Sequence, residues 1–257
     1  MDQKERREWL IRYLLNEQRP NQIAEIPVSE ERQKELLRAL MNIRRPGPIG
    51  NDFLKVQNEY LEAARNEKII TKLDDLTQKQ SDIFLWRGDI TTLEVEAIVN
   101  AANSYMTGCY QPCHNCIDNC IHTYAGVQLR NECDEIMQKQ GHEEETGQAK
   151  ITLGYNLPCR YVLHTVGPIV QGGLSNKHRE QLRSCYESCL ELASQHDILS
   201  LAFCCISTGV FMFPKEEAAK IAVDTVLKYK QQTGSNIKVV FTVNDEETIS
   251  CQYNWPN

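Results

Sequence analysis

The stretch from Gly108 to His122 (GCYQPCHNCIDNCIH) concentrates side chains that bind metals or exchange protons. Four cysteines, two histidines and one aspartate fall within these fifteen residues. Cysteine and histidine are ligands that zinc accepts, at bond lengths of about 2.0 to 2.3 Å. The density of these groups predicts that this loop binds a metal ion.

Cys109, His114 and Cys116 lie close enough along the chain for one loop to wrap a tetrahedral ion. No second CxxC pair elsewhere completes a closed four-ligand site, and three protein ligands with an open fourth position are typical of catalytic zinc. Cys113 and Cys120 are rival ligands, so the trio is a choice among candidates. The alternative is a cysteine-rich loop that caps a helix and holds no metal.

Asp118 is the only carboxylate of this loop and follows Cys116 by two residues. A zinc ion lowers the pKa of its bound water to about 7, and a neighbouring carboxylate can orient or deprotonate that water or a substrate hydroxyl. Asp118 is equally suited to the N-cap of a helix that begins after it. His122, about one turn further on, is expected to be packed in the interior.

The composition excludes several classes of function and location. A formal charge of -7 and a pI near 5.5 exclude the basic footprint of a nucleic-acid-binding protein. We find neither a signal-peptide pattern at the N-terminus nor an apolar run of the roughly 20 residues that a membrane span needs, so we expect a cytoplasmic protein.

An odd count of eleven cysteines argues against a disulfide framework. Seven of them are expected to be buried, reduced thiols: Cys133, Cys159, Cys185, Cys189, Cys204, Cys205 and Cys251.

The chain divides into two parts by its pattern of apolar residues. Residues 1–75 show helical periodicity and predict an extension of about three helices that packs on the neighbouring domain, with a docking arm for a partner as the alternative. Residues 76–257 alternate short apolar strands with helical stretches, which predicts an α/β fold with a largely parallel sheet. Six strands are expected, at 83–86, 97–100, 149–153, 161–165, 201–206 and 238–243, with helices at 178–195 and 215–232.

Three polar loops leave these strands, at 88–91, 100–119 and 207–211. Ligands of such sheets bind beyond the carboxyl ends of the strands, so we expect the loops to converge on one crevice. Asp89 can accept a hydrogen bond from an amine, such as that of adenine, or cap the following helix through Thr91 and Thr92. Residues 207–211 offer backbone N–H groups around Gly209 for an anion, although a single glycine is also typical of an ordinary turn.

Four motifs in this order resemble the macrodomain family of ADP-ribose-binding proteins: GDIT at 88–91, IVNAAN at 98–103, HTVGP at 164–168 and STGVFMFP at 207–214. In most catalytic macrodomains a glycine-rich loop follows NAAN, whereas this chain has GCYQPCHNCIDN in its place. That replacement and the helical extension resemble the zinc-containing microbial subfamily, often encoded beside a sirtuin-like transferase and a lipoyl-carrier protein.

The resemblance implies a three-layer α/β/α macrodomain that hydrolyses the bond between C1 of the distal ribose and a modified protein side chain. It places Asp89 and Ile90 at the adenine end. It assigns the diphosphate and ribose to Ser207, Thr208, Gly209, Val210 and Phe211, and the distal ribose to Asn103, Ile117, Asp118 and Asn119. Zinc would be held by Cys109, His114 and Cys116, and the expected catalytic residues are Asp118, Asn119 and Asn103.

The implied partner is an ADP-ribosylated protein, with a lipoyl-carrier protein as a candidate from gene context, and neither nucleic acid nor a membrane. Two other functions remain open: a non-catalytic ADP-ribose reader with a structural zinc, and a hydrolase of free O-acetyl-ADP-ribose.

Overall fold

The computed structural model describes residues 1–18, 25–80 and 82–243. The α-helices are α1 (Gln3–Gln18), α2 (Glu30–Ile43), α3 (Asn51–Asn66), α4 (Ile117–Ala125), α5 (Val127–Gln140), α6 (Asn176–Gln195) and α7 (Lys215–Thr233). The strands are β1 (Thr71–Lys72), β2 (Gln78–Gln80), β3 (Ile83–Arg87), β4 (Leu93–Glu94), β5 (Ala97–Ala102), β6 (Ala149–Leu153), β7 (Tyr161–Val166), β8 (Ser200–Phe203) and β9 (Lys238–Val243). None of the helices within these residues has the length and apolarity that crossing a membrane requires.

A seven-stranded sheet forms the centre, in the order β2-β3-β9-β8-β5-β7-β6. The five strands from β3 to β7 in this order run parallel, and the edge strands β2 and β6 are antiparallel to their neighbours. Helices α4 and α5 pack against each other and the sheet, and α6 and α7 form a second pair. The predicted α/β fold with a mixed, largely parallel sheet is confirmed.

The inner strands form because their apolar runs are covered on both faces, as parallel sheets require. Ile98, Val99, Phe203, Val239 and Val240 have no exposed surface. These side chains belong to one apolar core that α6 and α7 complete. The rigid sheet therefore fixes the positions at which its loops begin.

Two predicted features differ from the structure. Strand β8 ends at Phe203 rather than Ile206, and the chain curls directly afterwards. The sequence does not predict helix α5, because its buried residues (Val127, Leu129, Arg130, Cys133) include a charge and give a weak apolar stripe. Gly126, at φ 96°, separates it from α4.

The three N-terminal helices form a small core of their own around Leu10, Leu14, Leu37 and Phe53, and this core includes Val127 of α5. Polar contacts join it to the α/β part as well. The Gln57 side chain accepts a hydrogen bond from the Val127 N–H (3.0 Å), and Arg65 donates to the Asn156 carbonyl (2.9 Å). The extension thus packs on α5, while the domain boundary near residue 75 stays a prediction.

No two of the ten cysteines within the described residues are joined by a disulfide. Cys133, Cys159, Cys185, Cys189 and Cys204 are buried, whereas Cys205 is half-buried. Cys251 lies outside the described residues. Reduced, buried thiols are therefore the rule away from the Gly108–His122 loop.

Candidate functional site

The three polar loops leave the same edge of the sheet, while their convergence on one crevice stays a prediction. They follow β3, β5 and β8, which belong to the parallel set, so the carboxyl ends of these strands point the same way. Along this edge the order is β3, β9, β8 and β5. The loop 88–91 thus begins at one end, the loop 207–211 in the middle, and the cysteine-rich loop at the other end.

The structure brings Cys109, His114 and Cys116 together, with one ligand atom from each within 4.8 Å of the others. The Cys109 Sγ and His114 Nδ1 atoms are 3.6 Å apart. A tetrahedral zinc ion with ordinary bond lengths places sulfur and nitrogen ligands about 3.6 Å apart. In this pair of atoms the ligand triangle, as we call the three side chains, has the spacing that a zinc ion requires.

The two rival thiols lie outside this triangle. Cys113 Sγ is directed to the Glu35 carbonyl of α2, 3.4 Å away. Cys120 Sγ lies 3.6 Å from an Arg38 nitrogen, and burial raises the pKa of its thiol. Neither belongs to a cluster that could hold a metal ion among the described residues.

Cys116 is the N-cap of α4, because its Sγ accepts a hydrogen bond from the Asn119 N–H at 3.4 Å. The alternative prediction of an N-cap at Asp118 is wrong: Asp118 lies within the first turn of the helix. Burial raises the pKa of the Cys116 thiol to about 12, and nearby Cys109 and Asp118 add to the shift. A divalent cation at this position would reverse that preference, since it stabilises the thiolate.

Asp118 is a buried carboxylate, 5% exposed, that receives hydrogen bonds on both oxygens. Asn100 donates to Oδ1 at 2.8 Å and Asn103 donates to Oδ2 at 3.2 Å. The His122 Nε2 atom lies 3.5 Å from Oδ1. Burial raises the pKa of Asp118 to about 6, against the hydrogen bonds and the charge of Arg130, which lower it. The group is thus a fixed carboxylate that can exchange a proton near neutral pH.

The raised pKa predicts a pH dependence of stability. The unfolded chain releases the Asp118 proton near its ordinary pKa of 3.8 and the folded chain near 6, so stability falls as pH rises between these values and then levels off. Between about pH 4 and pH 7 we expect metal-free wild type to lose about 2 kcal/mol of unfolding free energy relative to Asp118→Asn. Urea unfolding of both proteins at the two pH values measures this, and a pH-independent difference would contradict it.

Sequence reasoning missed the role of Asn100. Its Nδ2 atom also lies 3.1 Å from His164 Nδ1, and the His164 Nε2 atom lies 2.9 Å from Thr152 Oγ1. Burial lowers the pKa of His164 to about 3, so the ring is neutral and accepts at Nδ1 while it donates from Nε2. The available signal was a polar residue in a strand that is otherwise apolar and buried; Asn100 and His164 are direct partners across β5 and β7.

Asn119 has no exposed surface, and its side-chain amide is engaged within the loop. Its Nδ2 donates to the carbonyls of Cys109 (3.2 Å) and Gln111 (3.0 Å), and its Oδ1 accepts from Arg38 (3.0 Å). These contacts fix the backbone at Cys109, one of the three ligands, and at Gln111, which lies between the ligands Cys109 and His114. The catalytic assignment of Asn119 stays a prediction, as does the contact of half-buried Ile117 with ribose.

Asp89 caps the short 3-10 helix Ile90–Thr92, with Oδ1 accepting from the Thr91 N–H (3.0 Å) and hydroxyl (2.7 Å). The capping alternative is thereby confirmed. The Lys68 Nζ atom lies 3.6 Å from Oδ2, and the carboxylate is on the surface. Ile90 is 3% exposed. Contact of these two residues with adenine stays a prediction.

The loop 207–213 is a closed curl. The Phe213 N–H donates to the Ser207 carbonyl (2.9 Å) and the Met212 N–H to the Gly209 carbonyl (3.0 Å). Gly167, of the motif HTVGP, lies against this curl, because a Cβ atom added there would collide with the Ser207 Oγ. The close approach explains the glycine and ties two of the four motifs together. Gly209 and Val210 are exposed, Phe211 and Thr208 are half-buried, and Ser207 is buried.

Known proteins similar to this chain carry the same fold and related names. The family model described as "Macro domain" matches residues 99–222. A "Protein-ADP-ribose hydrolase" of Treponema medium is 56% identical over 96% of this chain and 96% of its own, and one of Staphylococcus aureus (strain MSSA476) is 50% identical over 96% and 93%. The crystal structure of the Trypanosoma brucei macrodomain in complex with ADP-ribose is 28% identical, with a TM-score of 0.64, over 83% of this chain and 93% of that one. With relatives this similar over nearly its whole length, the chain belongs to the macro domain family.

Proposed function

We propose that this chain is a zinc-dependent protein-ADP-ribose hydrolase that removes mono-ADP-ribose from modified protein side chains. One observation carries the proposal: a buried carboxylate, Asp118, is held by Asn100 and Asn103 beside a triangle of zinc-type ligands. The names of the Treponema and Staphylococcus relatives support the activity. The zinc-containing, sirtuin-linked subtype is part of the proposal, on the cysteine-rich loop and the helical extension.

The order of the loops supports the way in which ADP-ribose would lie. Three strand spacings separate β3 from β5, with β9 and β8 between them, which is about 14 Å. In the proposed complex Asp89 and Ile90 meet adenine at the β3 end. Residues 207–211 hold the diphosphate in the middle, and Asn103, Ile117 and Asp118 line the distal ribose at the β5 end. An extended ADP-ribose has its parts in the same sequence.

The residues of the chain can carry the hydrolysis. Water attacks C1 of the distal ribose as the bond to the protein side chain breaks, and the Asp118 carboxylate accepts the proton of that water. Asn100 and Asn103 hold both carboxylate oxygens of Asp118 in a fixed orientation, so the carboxylate does not have to reorient during the reaction. The released side chain takes a proton from solvent. Zinc held by Cys109, His114 and Cys116 would supply Lewis acidity beside this centre.

The substrate in this proposal is an ADP-ribosylated protein, and a lipoyl-carrier protein is the candidate that the subfamily resemblance suggests. The cytoplasmic location expected from the sequence stays a prediction.

The test compares purified chain on an auto-mono-ADP-ribosylated protein and on free O-acetyl-ADP-ribose, with ADP-ribose binding measured by calorimetry on the same sample. Release of ADP-ribose from the protein, at a rate above that on the free metabolite, supports the proposal. Tight ADP-ribose binding without turnover would make the chain a reader, and faster turnover of the free metabolite would make it a small-molecule hydrolase.

A further inference from the structure

Helix α2 of the N-terminal extension lies against the loop that carries the ligand triangle. Arg38, half-buried on α2, donates from one nitrogen to the His114 carbonyl (2.7 Å) and to the Asn119 side-chain oxygen (3.0 Å). The first contact fixes the backbone of a triangle residue. The second fixes the amide that holds the Cys109 and Gln111 carbonyls. The Arg38 guanidinium therefore restrains the loop directly at His114 and, through the Asn119 side chain, at Cys109.

Asn42, near the end of α2, makes the next contact. Its Oδ1 accepts from the Cys113 N–H (2.9 Å), and its Nδ2 donates to the Thr123 hydroxyl of α4 (2.8 Å). Cys113 has φ 53°, a left-handed conformation that costs a non-glycine residue roughly 1 to 2 kcal/mol. That residue directly precedes His114. The hydrogen bond from the Cys113 N–H to Asn42 thus holds the strained backbone next to His114.

The contact between α2 and the loop is itself anchored to the α/β part. Arg130 of α5 is buried and donates to the carbonyls of Met41 (3.2 Å), Asn42 (2.6 Å) and Arg44 (2.6 Å) at the end of α2. The guanidinium of Arg130 also lies 4.4 Å from the centre of the Tyr110 ring, next to Cys109. Helix α2 therefore cannot shift relative to α5 without breaking several charge-assisted hydrogen bonds.

We infer that α2 forms part of the metal site, and that Arg38 and Asn42 are positioning residues which hold the ligand triangle ready for the ion. The inference rests on the proposed function for the identity of the site, but its first readout is metal affinity rather than turnover. A loop of this length without such restraints would lose conformational entropy when it closes on an ion. A loop that is restrained before the ion binds loses less conformational entropy on binding. Side chains that hold the ligands without touching the metal raise metal affinity for this reason.

The test is titration of the chelator-stripped full chain with Co²⁺ alone, followed by the absorption of the thiolate–cobalt complex. We expect Arg38→Ala and Asn42→Ala each to weaken Co²⁺ binding by about 10- to 100-fold. Arg38→Lys keeps the charge without the planar fork, and it should fall between Arg38→Ala and wild type. Arg32→Ala, at an exposed position on the same helix, is the matched control and should bind like wild type.

Thermal unfolding of the metal-free proteins and turnover of the zinc-loaded ones complete the design. Lower stability in Arg38→Ala and Asn42→Ala with unchanged Co²⁺ affinity would make them merely structural and overturn the inference. If Arg38→Ala does not fold, unchanged Co²⁺ affinity in Arg38→Lys and Asn42→Ala would still overturn it. Wild type that binds Co²⁺ but shows no turnover would instead refute the proposed function, and the effect of Arg38 on affinity would stand.

Discussion

Replacement of Asp118 by asparagine is expected to lower kcat on a mono-ADP-ribosylated protein by about 10²- to 10⁴-fold, the usual contribution of a positioned general base. Asparagine has the same shape but cannot accept the proton of the attacking water. The side chains that donate to the Asp118 oxygens, Asn100 and Asn103, are amides, so neither can act as the base in its place. Binding of ADP-ribose should persist, since the residues that we propose to hold the diphosphate and adenine, 207–211 and Asp89, are unchanged.

Single-turnover release of ADP-ribose measures this loss, with calorimetry to confirm that the variant still binds. Asp224→Asn, at an exposed position on α7, is the control and should have the activity of wild type. If Asp118→Asn kept more than half of the wild-type kcat, the proposed base would be wrong and the ligand triangle would have to carry the reaction without it.

Replacement of Cys116 by serine is expected to remove both the metal and the activity. The thiol is one corner of the ligand triangle, and it also accepts the Asn119 N–H at the start of α4. A hydroxyl can still cap the helix, so the fold should survive. It is a poor substitute for a zinc-bound thiolate, and we expect zinc affinity to fall by more than the roughly 10- to 100-fold typical of changes outside the ligand shell.

Cys113→Ser is the matched control, because it changes a thiol in the same loop that points to the Glu35 carbonyl and away from the triangle. Elemental analysis after gel filtration should find zinc in Cys113→Ser and none in Cys116→Ser, with turnover in the first only. Full turnover in a zinc-free Cys116→Ser protein would make the metal a structural brace.

Much of the fold can be predicted from the sequence. Buried strands such as Lys238–Val243 are short β-branched runs, and Lys215–Thr233 begins after a proline that suits a first helical turn, so both were found within a residue or two. The ligand triangle can also be predicted from the sequence, since its three ligands lie within eight residues of one loop. Local patterns suffice where the structure is determined by neighbours in the chain.

The remainder of the site depends on contacts between distant residues. Arg38 reaches His114 across 76 positions and Asn42 reaches Cys113 across 71, and nothing in their own helix distinguishes them from surface side chains. Asn100 lies in the recognised motif, yet its link to His164 needs the register of two strands. The sequence does not indicate the cap at Cys116, because serine, threonine and aspartate are the ordinary N-caps.

Zinc dependence is tested by measuring zinc content and release of ADP-ribose from an auto-modified protein on one preparation, before and after treatment with a strong chelator. We expect about one zinc ion for each chain, loss of turnover in step with loss of zinc, and recovery when zinc is added back. Full turnover by the zinc-free chain would contradict a zinc-dependent hydrolase.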